Sequence, residues 1–102
     1  MSIPTKKRFL ITIVAEALIE TRLVEALKGL GVRGYSISAC RGDSLGSVRA
    51  SEWSGDNVQI QTIVSSDLSD TILEILARDF IGTFSVVAFR SEVEVLRPEK
   101  FG

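Results

Sequence analysis

The chain has 102 residues, 45% of them hydrophobic and 25% charged, and a formal net charge of −1. That length makes one domain, spanning residues 1–102, with a core large enough to need no staples, and the lone Cys40 excludes an intramolecular disulfide. The near-neutral charge argues against a nucleic-acid backbone binder, and the lack of histidine against a zinc or copper site built within one chain.

Residues 8–14, Arg-Phe-Leu-Ile-Thr-Ile-Val, are rich in β-branched and aromatic types and predict a first strand. Phe9, Ile11 and Ile13 are apolar on one face, Leu10 and Val14 on the other, the pattern of a strand covered on both sides. Lys6, Lys7 and Arg8 flank it in solvent. The apolar stretch from Phe9 to Leu18 contains Glu16, is too short to cross a bilayer, and has no cleavage signal after it. A cytoplasmic protein without membrane insertion is therefore expected. From Glu16 to Leu30 the spacing of Ile19, Leu23, Ala26, Leu27 and Leu30 predicts a helix, ended by Gly29 and Gly31. Tyr35–Cys40 alternates as a second strand. Residues 41–56 lose all periodicity and hold Gly42, Gly46 and Gly55 among several serines. A third strand is predicted over 57–64, with Val58, Ile60 and Val64 toward the core opposite Asn57, Gln59 and Gln61. Ser65-Ser66-Asp67 then supply N-cap chemistry for a second helix, whose apolar face is Leu68, Ile72, Ile75, Leu76 and Phe80 and which Gly82 stops. A fourth strand is expected from about Phe84 to Ala88, with a further extended stretch over Val93–Leu96 and a bulge or bend at Arg90–Glu92.

The order β-α-β-β-α-β is that of an α+β, ferredoxin-like fold. Two helices cover one sheet face only, so a first strand apolar on both faces implies a further copy of the chain on the other.

The loop over 41–56 supports two readings. It is a flexible hairpin connection, or its glycines and the guanidinium groups of Arg41 and Arg49 approach an anion. Trp53, the single tryptophan, either packs back on the domain or meets a partner. Gln59, Gln61, Ser36 and Ser38 either face solvent or read the edge of a base at a subunit boundary. No nucleophile–base pair is visible, and the commonest general base is missing. An enzyme such as an acylphosphatase needs an arginine-bearing anion cradle after strand one, where this chain has Ala15-Glu16-Ala17. An RNA-binding module needs aromatic residues on its strands for base stacking, where this chain has Gln, Ser and aliphatic groups.

Three segments carry a family resemblance: Leu27-Lys28-Gly29-Leu30-Gly31-Val32-Arg33-Gly34-Tyr35-Ser36, Gly42-Asp43-Ser44-Leu45-Gly46-Ser47-Val48-Arg49, and Glu94-Val95-Leu96-Arg97-Pro98-Glu99-Lys100-Phe101. Taken in this order, over essentially residues 8–101, the chain resembles PII-like signalling proteins. The short loop makes it look closest to the inorganic-carbon branch, the SbtB-type bicarbonate-transporter regulators and the carboxysome-associated PII. A CutA-like trimer linked to metal tolerance shares the fold and assembly, and the lack of histidine weighs against it.

The resemblance implies a homotrimer with adenine nucleotides in the clefts between subunits, and signalling through the loop at about 41–56, the T-loop of that family. Carried over by position, Ser36, Gln61, Thr62 and Ile63 meet the adenine. Gly42, Gly46, Ser47 and Arg49 approach the ribose and phosphates. Thr83, Phe84 and Ser85 occupy the family's B-loop position, and Arg97 reaches phosphate from the C-terminal segment. Phe84 and Asn57 stand where the family carries basic residues for outer phosphates, so ADP or AMP is expected over ATP, with bicarbonate as a second ligand. The implied partner is a bicarbonate transporter or a carboxysome-related protein, with no catalytic residue, metal or nucleic acid involved.

Overall fold

Strand pairing lengthens the first strand past the apolar run that predicts it. The computed structural model describes residues 3–41 and 56–97. In it, β1 runs Lys6–Glu16 and is central in a four-stranded sheet. Its flanks are β3 (Asn57–Val64) on one side and β4 (Val86–Val95) on the other. Pairing reaches Glu16 opposite Asn57 and Lys6 opposite Val95, so the neighbours draw both ends into the sheet. β2 (Ser36–Cys40) lies outside β3, giving the order β2-β3-β1-β4 with every pair antiparallel. This is the ferredoxin-like α+β arrangement expected.

The first helix begins later than its periodicity predicts. Residues Ala17–Ile19 form a single 3₁₀ turn, and α1 spans Glu20–Gly29. It closes on Gly31, whose φ of +96° suits glycine. The Gly31 N–H donates to the Lys28 carbonyl at 3.0 Å and the Val32 N–H to the Leu27 carbonyl at 3.1 Å, the paired bonds of a Schellman cap. Helix α2 spans Ser66–Leu76, and the Ser65 hydroxyl accepts from the Leu68 N–H at 3.3 Å, the cap predicted. A wider π-type turn, Ala77–Ile81, carries the chain from α2 to Gly82.

Both helices pack on one face of the sheet. Leu23, Leu27, Ile72, Leu76 and Phe80 form a single core with Ile11, Ile13, Ala15, Val58, Ile60, Val64 and Val86. Cross-strand register assigns Leu10, Thr12, Val14, Gln59, Gln61, Ile63, Val87 and Phe89 to the other face. No described element covers that face. Leu10 and Val14 stay half-buried there, and Phe89 is 51% exposed. Thr12, flanked by neighbours on both strands, is 2% exposed.

The fourth strand corrects the sequence reading. Register is unbroken from Ala15 opposite Val86 to Lys6 opposite Val95, so Arg90–Glu92 is neither bulge nor bend. The charges are accommodated because β4 is an edge strand with a helix beside it. The Arg90 Nη1 donates to the Asp70 carboxylate at 2.6 Å and to the Ser69 hydroxyl at 3.0 Å, both on α2. The guanidinium also lies 5.1 Å from the Phe9 ring centroid. A charged side chain in a strand thus ties the sheet to the helix above it.

Candidate functional site

Strand β2 is shorter than its partner, and that mismatch opens a cavity. Its last pair toward the β3 C-terminus is Ser36 opposite Gln61, while β3 continues to Val64. The edge of Thr62–Val64 that faces away from β1 therefore has no strand beside it, and its backbone N–H and C=O groups are available to a ligand. A cavity of about 310 Å³ lies there, lined by Leu10, Gly34, Tyr35, Ser36, Gln61, Thr62 and Ile63. Leu10 and Ile63 stand opposite each other in register and give it an apolar floor. Ser36 and Gln61 add the polar groups.

The four residues assigned to a base by position, Ser36, Gln61, Thr62 and Ile63, all line this one cavity. Their side chains contribute differently. Thr62 is 3% exposed, and its hydroxyl donates to the Gly34 carbonyl at 2.6 Å, so it holds the turn that walls the cavity. The Gln61 Nε2 donates to the Thr12 hydroxyl oxygen at 3.1 Å. The Ser36 hydroxyl is exposed and makes no hydrogen bond among the described residues. Leu10, Gly34 and Tyr35 were missed as lining residues, because the gap past Ser36 exists only once the strands pair. The unequal lengths of the second and third strands were the available signal.

The remaining candidates divide by sheet end. Arg97 follows Val95, which pairs with Lys6, and so lies at the cavity end. Thr83, Phe84 and Ser85 precede Val86 at the opposite end, where Ala15 and Glu16 pair with Val58 and Asn57. Cys40 and Asn57, the strand ends flanking the loop, are there too. Six residue steps along β1 separate the Leu10 and Glu16 rows, roughly 20 Å at about 3.3 Å per step. Gly42, Gly46, Ser47 and Arg49, with Trp53, lie outside the described residues.

Phe84 is held in place rather than projecting. Its ring centroid is 6.0 Å from that of Phe80, and the Arg22 guanidinium sits 5.7 Å above it. A second cavity at this end, about 190 Å³, is lined by Glu16, Ala17, Leu18 and Asp56, where the Ala17 N–H donates to the Asp56 carbonyl at 2.8 Å. No group of three or more His, Cys, Asp or Glu side chains converges among the described residues. No described helix is long and apolar enough to cross a membrane.

The fold recurs in known proteins. A family model described as nitrogen regulatory protein P-II matches residues 8–100. A PII-like signalling protein of Thermus thermophilus superposes with a TM-score of 0.83 at 37% identity, over 98% of this chain and 100% of its own. CPII of Thiomonas intermedia, a nitrogen regulatory PII-like protein solved with ADP, AMP and bicarbonate, gives a TM-score of 0.78 at 25% identity over 98% of each chain. The fold also matches GlnK of B. subtilis, solved with ATP, at a TM-score of 0.63 and 18% identity, over 85% of this chain and 82% of that one. No curated protein matches the sequence at a significant level. With the family model spanning nearly the whole chain, and the fold and a 37% identical relative agreeing with it, the chain belongs to the nitrogen regulatory protein P-II family.

Proposed function

We propose that this protein is a homotrimeric regulator that binds AMP or ADP in clefts between protomers and signals their occupancy through the loop at 41–56. The observation that carries the reading is the split of the candidate residues. A base-sized cavity with an open strand edge lies at one sheet end, and the loop base and residues 83–85 lie at the other. An adenine edge offers adjacent donor and acceptor groups that complement a strand's free N–H and C=O. A mononucleotide joins base to phosphate through one ribose and does not span both ends of one protomer. Two protomers side by side would bring the cavity of one against the loop bases of its neighbour. The uncovered sheet face, with Val87 and Phe89 exposed, supplies apolar surface for that contact.

Phosphate number follows from the residues at the loop end. Phe84 is aromatic and engaged with Phe80 and Arg22, so it adds no cation of its own for an outer phosphate. The triphosphate therefore gains little over ADP or AMP. Bicarbonate is the second ligand in this reading, supported by its presence with ADP and AMP in the 25% identical CPII. The output would be a contact of Trp53 with a bicarbonate transporter or a carboxysome-related protein.

Titration calorimetry with AMP, ADP and ATP, each with and without bicarbonate, tests the reading. AMP or ADP is expected to bind at least as tightly as ATP. ATP favoured by tenfold or more overturns it.

A further inference from the structure

We propose that Arg8 and Glu16 form an ion pair between neighbouring copies of the chain, Arg8 at the cavity end of one protomer meeting Glu16 at the loop end of the next. The proposal rests on the homotrimer reading and adds to it the contact that fixes how one copy is turned against another.

Alternation along β1 puts Lys6, Arg8 and Glu16 on the uncovered sheet face, in line with Leu10, Thr12 and Val14. Among the described residues they are the only charged groups that the four strands place there, since β2, β3 and β4 contribute uncharged side chains to it. The face is therefore basic at the cavity end and acidic at the loop end, with no charge between.

Neither group has a partner of opposite charge within the chain. Arg8 is half-buried, its Nη1 donates to the Lys7 carbonyl at 2.8 Å, and its Nε is shut away from water without a hydrogen bond. Glu16 is half-buried and makes no ion pair among the described residues. Eight steps along β1 separate the two, roughly 26 Å at about 3.3 Å per step, so they do not meet in one protomer.

A second copy on this face takes away the water that serves both groups, and an unpaired charge left there is costly. Copies set with like ends together put Arg8 against Arg8 and Glu16 against Glu16. Head-to-tail contact, which brings one cavity against the next loop base, puts Arg8 against Glu16 instead. A carboxylate can take the Nε and Nη groups of a guanidinium together, and so gives the buried Nε the partner it lacks. Each protomer then offers one group to the neighbour on either side, a heterologous contact that closes as a ring. Arg8 is two residues from Leu10 on the cavity floor, and Glu16 lines the loop-end cavity with Asp56. The pair thus spans the cleft read as the nucleotide site.

Light scattering over a dilution series of the full chain tests this. The wild type is expected at three times the 11.1 kDa of one chain. Arg8→Glu and Glu16→Arg should each raise the concentration at which the assembly dissociates by tenfold or more. The double variant restores opposite charges and should return to within about threefold of the wild type. Lys6→Glu makes the same change in charge at the same end, and combined with Glu16→Arg it should dissociate as readily as Glu16→Arg alone. A double Arg8→Glu, Glu16→Arg variant no more stable than either single overturns the pairing and leaves the trimer reading intact. Rescue of Glu16→Arg by Lys6→Glu as complete as by Arg8→Glu does the same. A wild type that scatters as one or two chains overturns the trimer reading and the proposal together. If a reversed variant does not fold, Arg8→Met, Glu16→Gln and their combination decide. The combination should then lose little more than either single, and a loss equal to the sum of the two overturns the pairing.

Discussion

Thr62 shows how a residue expected at a ligand contributes through its neighbours. Its hydroxyl is engaged by the Gly34 carbonyl at 2.6 Å, which fixes the turn leading into β2. Thr62→Val removes the donor to the carbonyl of the exposed Gly34, which water can then reach, a cost of about 0.5–1.5 kcal/mol. Urea denaturation should show that loss, and AMP binding should weaken with it because the cavity wall is no longer held. Ser65 makes a simpler case. Ser65→Ala loses the bond from Leu68 and should cost about 1 kcal/mol, visible as a lower melting temperature without any change in nucleotide affinity. The cap was legible because Ser-Ser-Asp before an apolar periodic run has a local cause. The Thr62–Gly34 bond was not, since its partners are 28 residues apart. Arg97→Ala should weaken ADP binding by no more than about 3 kcal/mol, the scale of a charge-assisted hydrogen bond, and calorimetry measures it directly.

Among the elements, β4 departs furthest from its sequence pattern. Arg90-Ser91-Glu92 reads as an interruption because a charged run in a buried strand would strand its charges. On an edge strand the same residues extend past the sheet, and Arg90 reaches α2 and the Phe9 ring. Arg90→Ala should therefore leave β4 intact and cost about 1 kcal/mol or less, since the ion pair is partly solvated. Hydrogen exchange that showed Val86–Val95 still protected, with a small fall in stability, would agree. Helix α1 gives the contrasting outcome. Its start falls later than the periodicity predicts because Glu16 fits a helix by composition and is claimed by strand pairing with Asn57, and Ala17–Ile19 form a 3₁₀ turn. Its end was legible, because Gly31 answers a purely local demand for positive φ. Gly31→Ala should cost roughly 1 kcal/mol or more for that reason.

At the scale of the whole molecule, the uncovered sheet face matters most. Leu10, Val14, Val87 and Phe89 share it with Thr12, and burying them between copies is the proposed source of the trimer. Phe89→Asp would place a charge in that contact. Light scattering should then give a mass near the 11.1 kDa of one chain instead of three times that value, and nucleotide binding should fall with the assembly. A wild type that scatters as one chain at micromolar concentration removes the proposed cleft altogether. Coupling of ligand to loop has its own probe, because Trp53 is the single tryptophan. Its fluorescence should change on saturation with AMP, and an unchanged spectrum would exclude the loop as the output.

What the sequence determined by itself was local or periodic: the strand and helix types, the serine cap, the glycine stop, the inward face of β3, and the motif order that marks the family. Each depends on neighbours within a few positions, where sterics and hydrogen bonding act without the rest of the chain. Only the tertiary structure decided where β1 and β4 end, because pairing across strands overrode composition there. Only it showed that β2 stops short of β3 and leaves a cavity, that the Thr62 hydroxyl is taken by the Gly34 carbonyl, and that the candidate residues divide between two ends of the sheet. Those facts depend on contacts between segments tens of residues apart, which propensity does not encode.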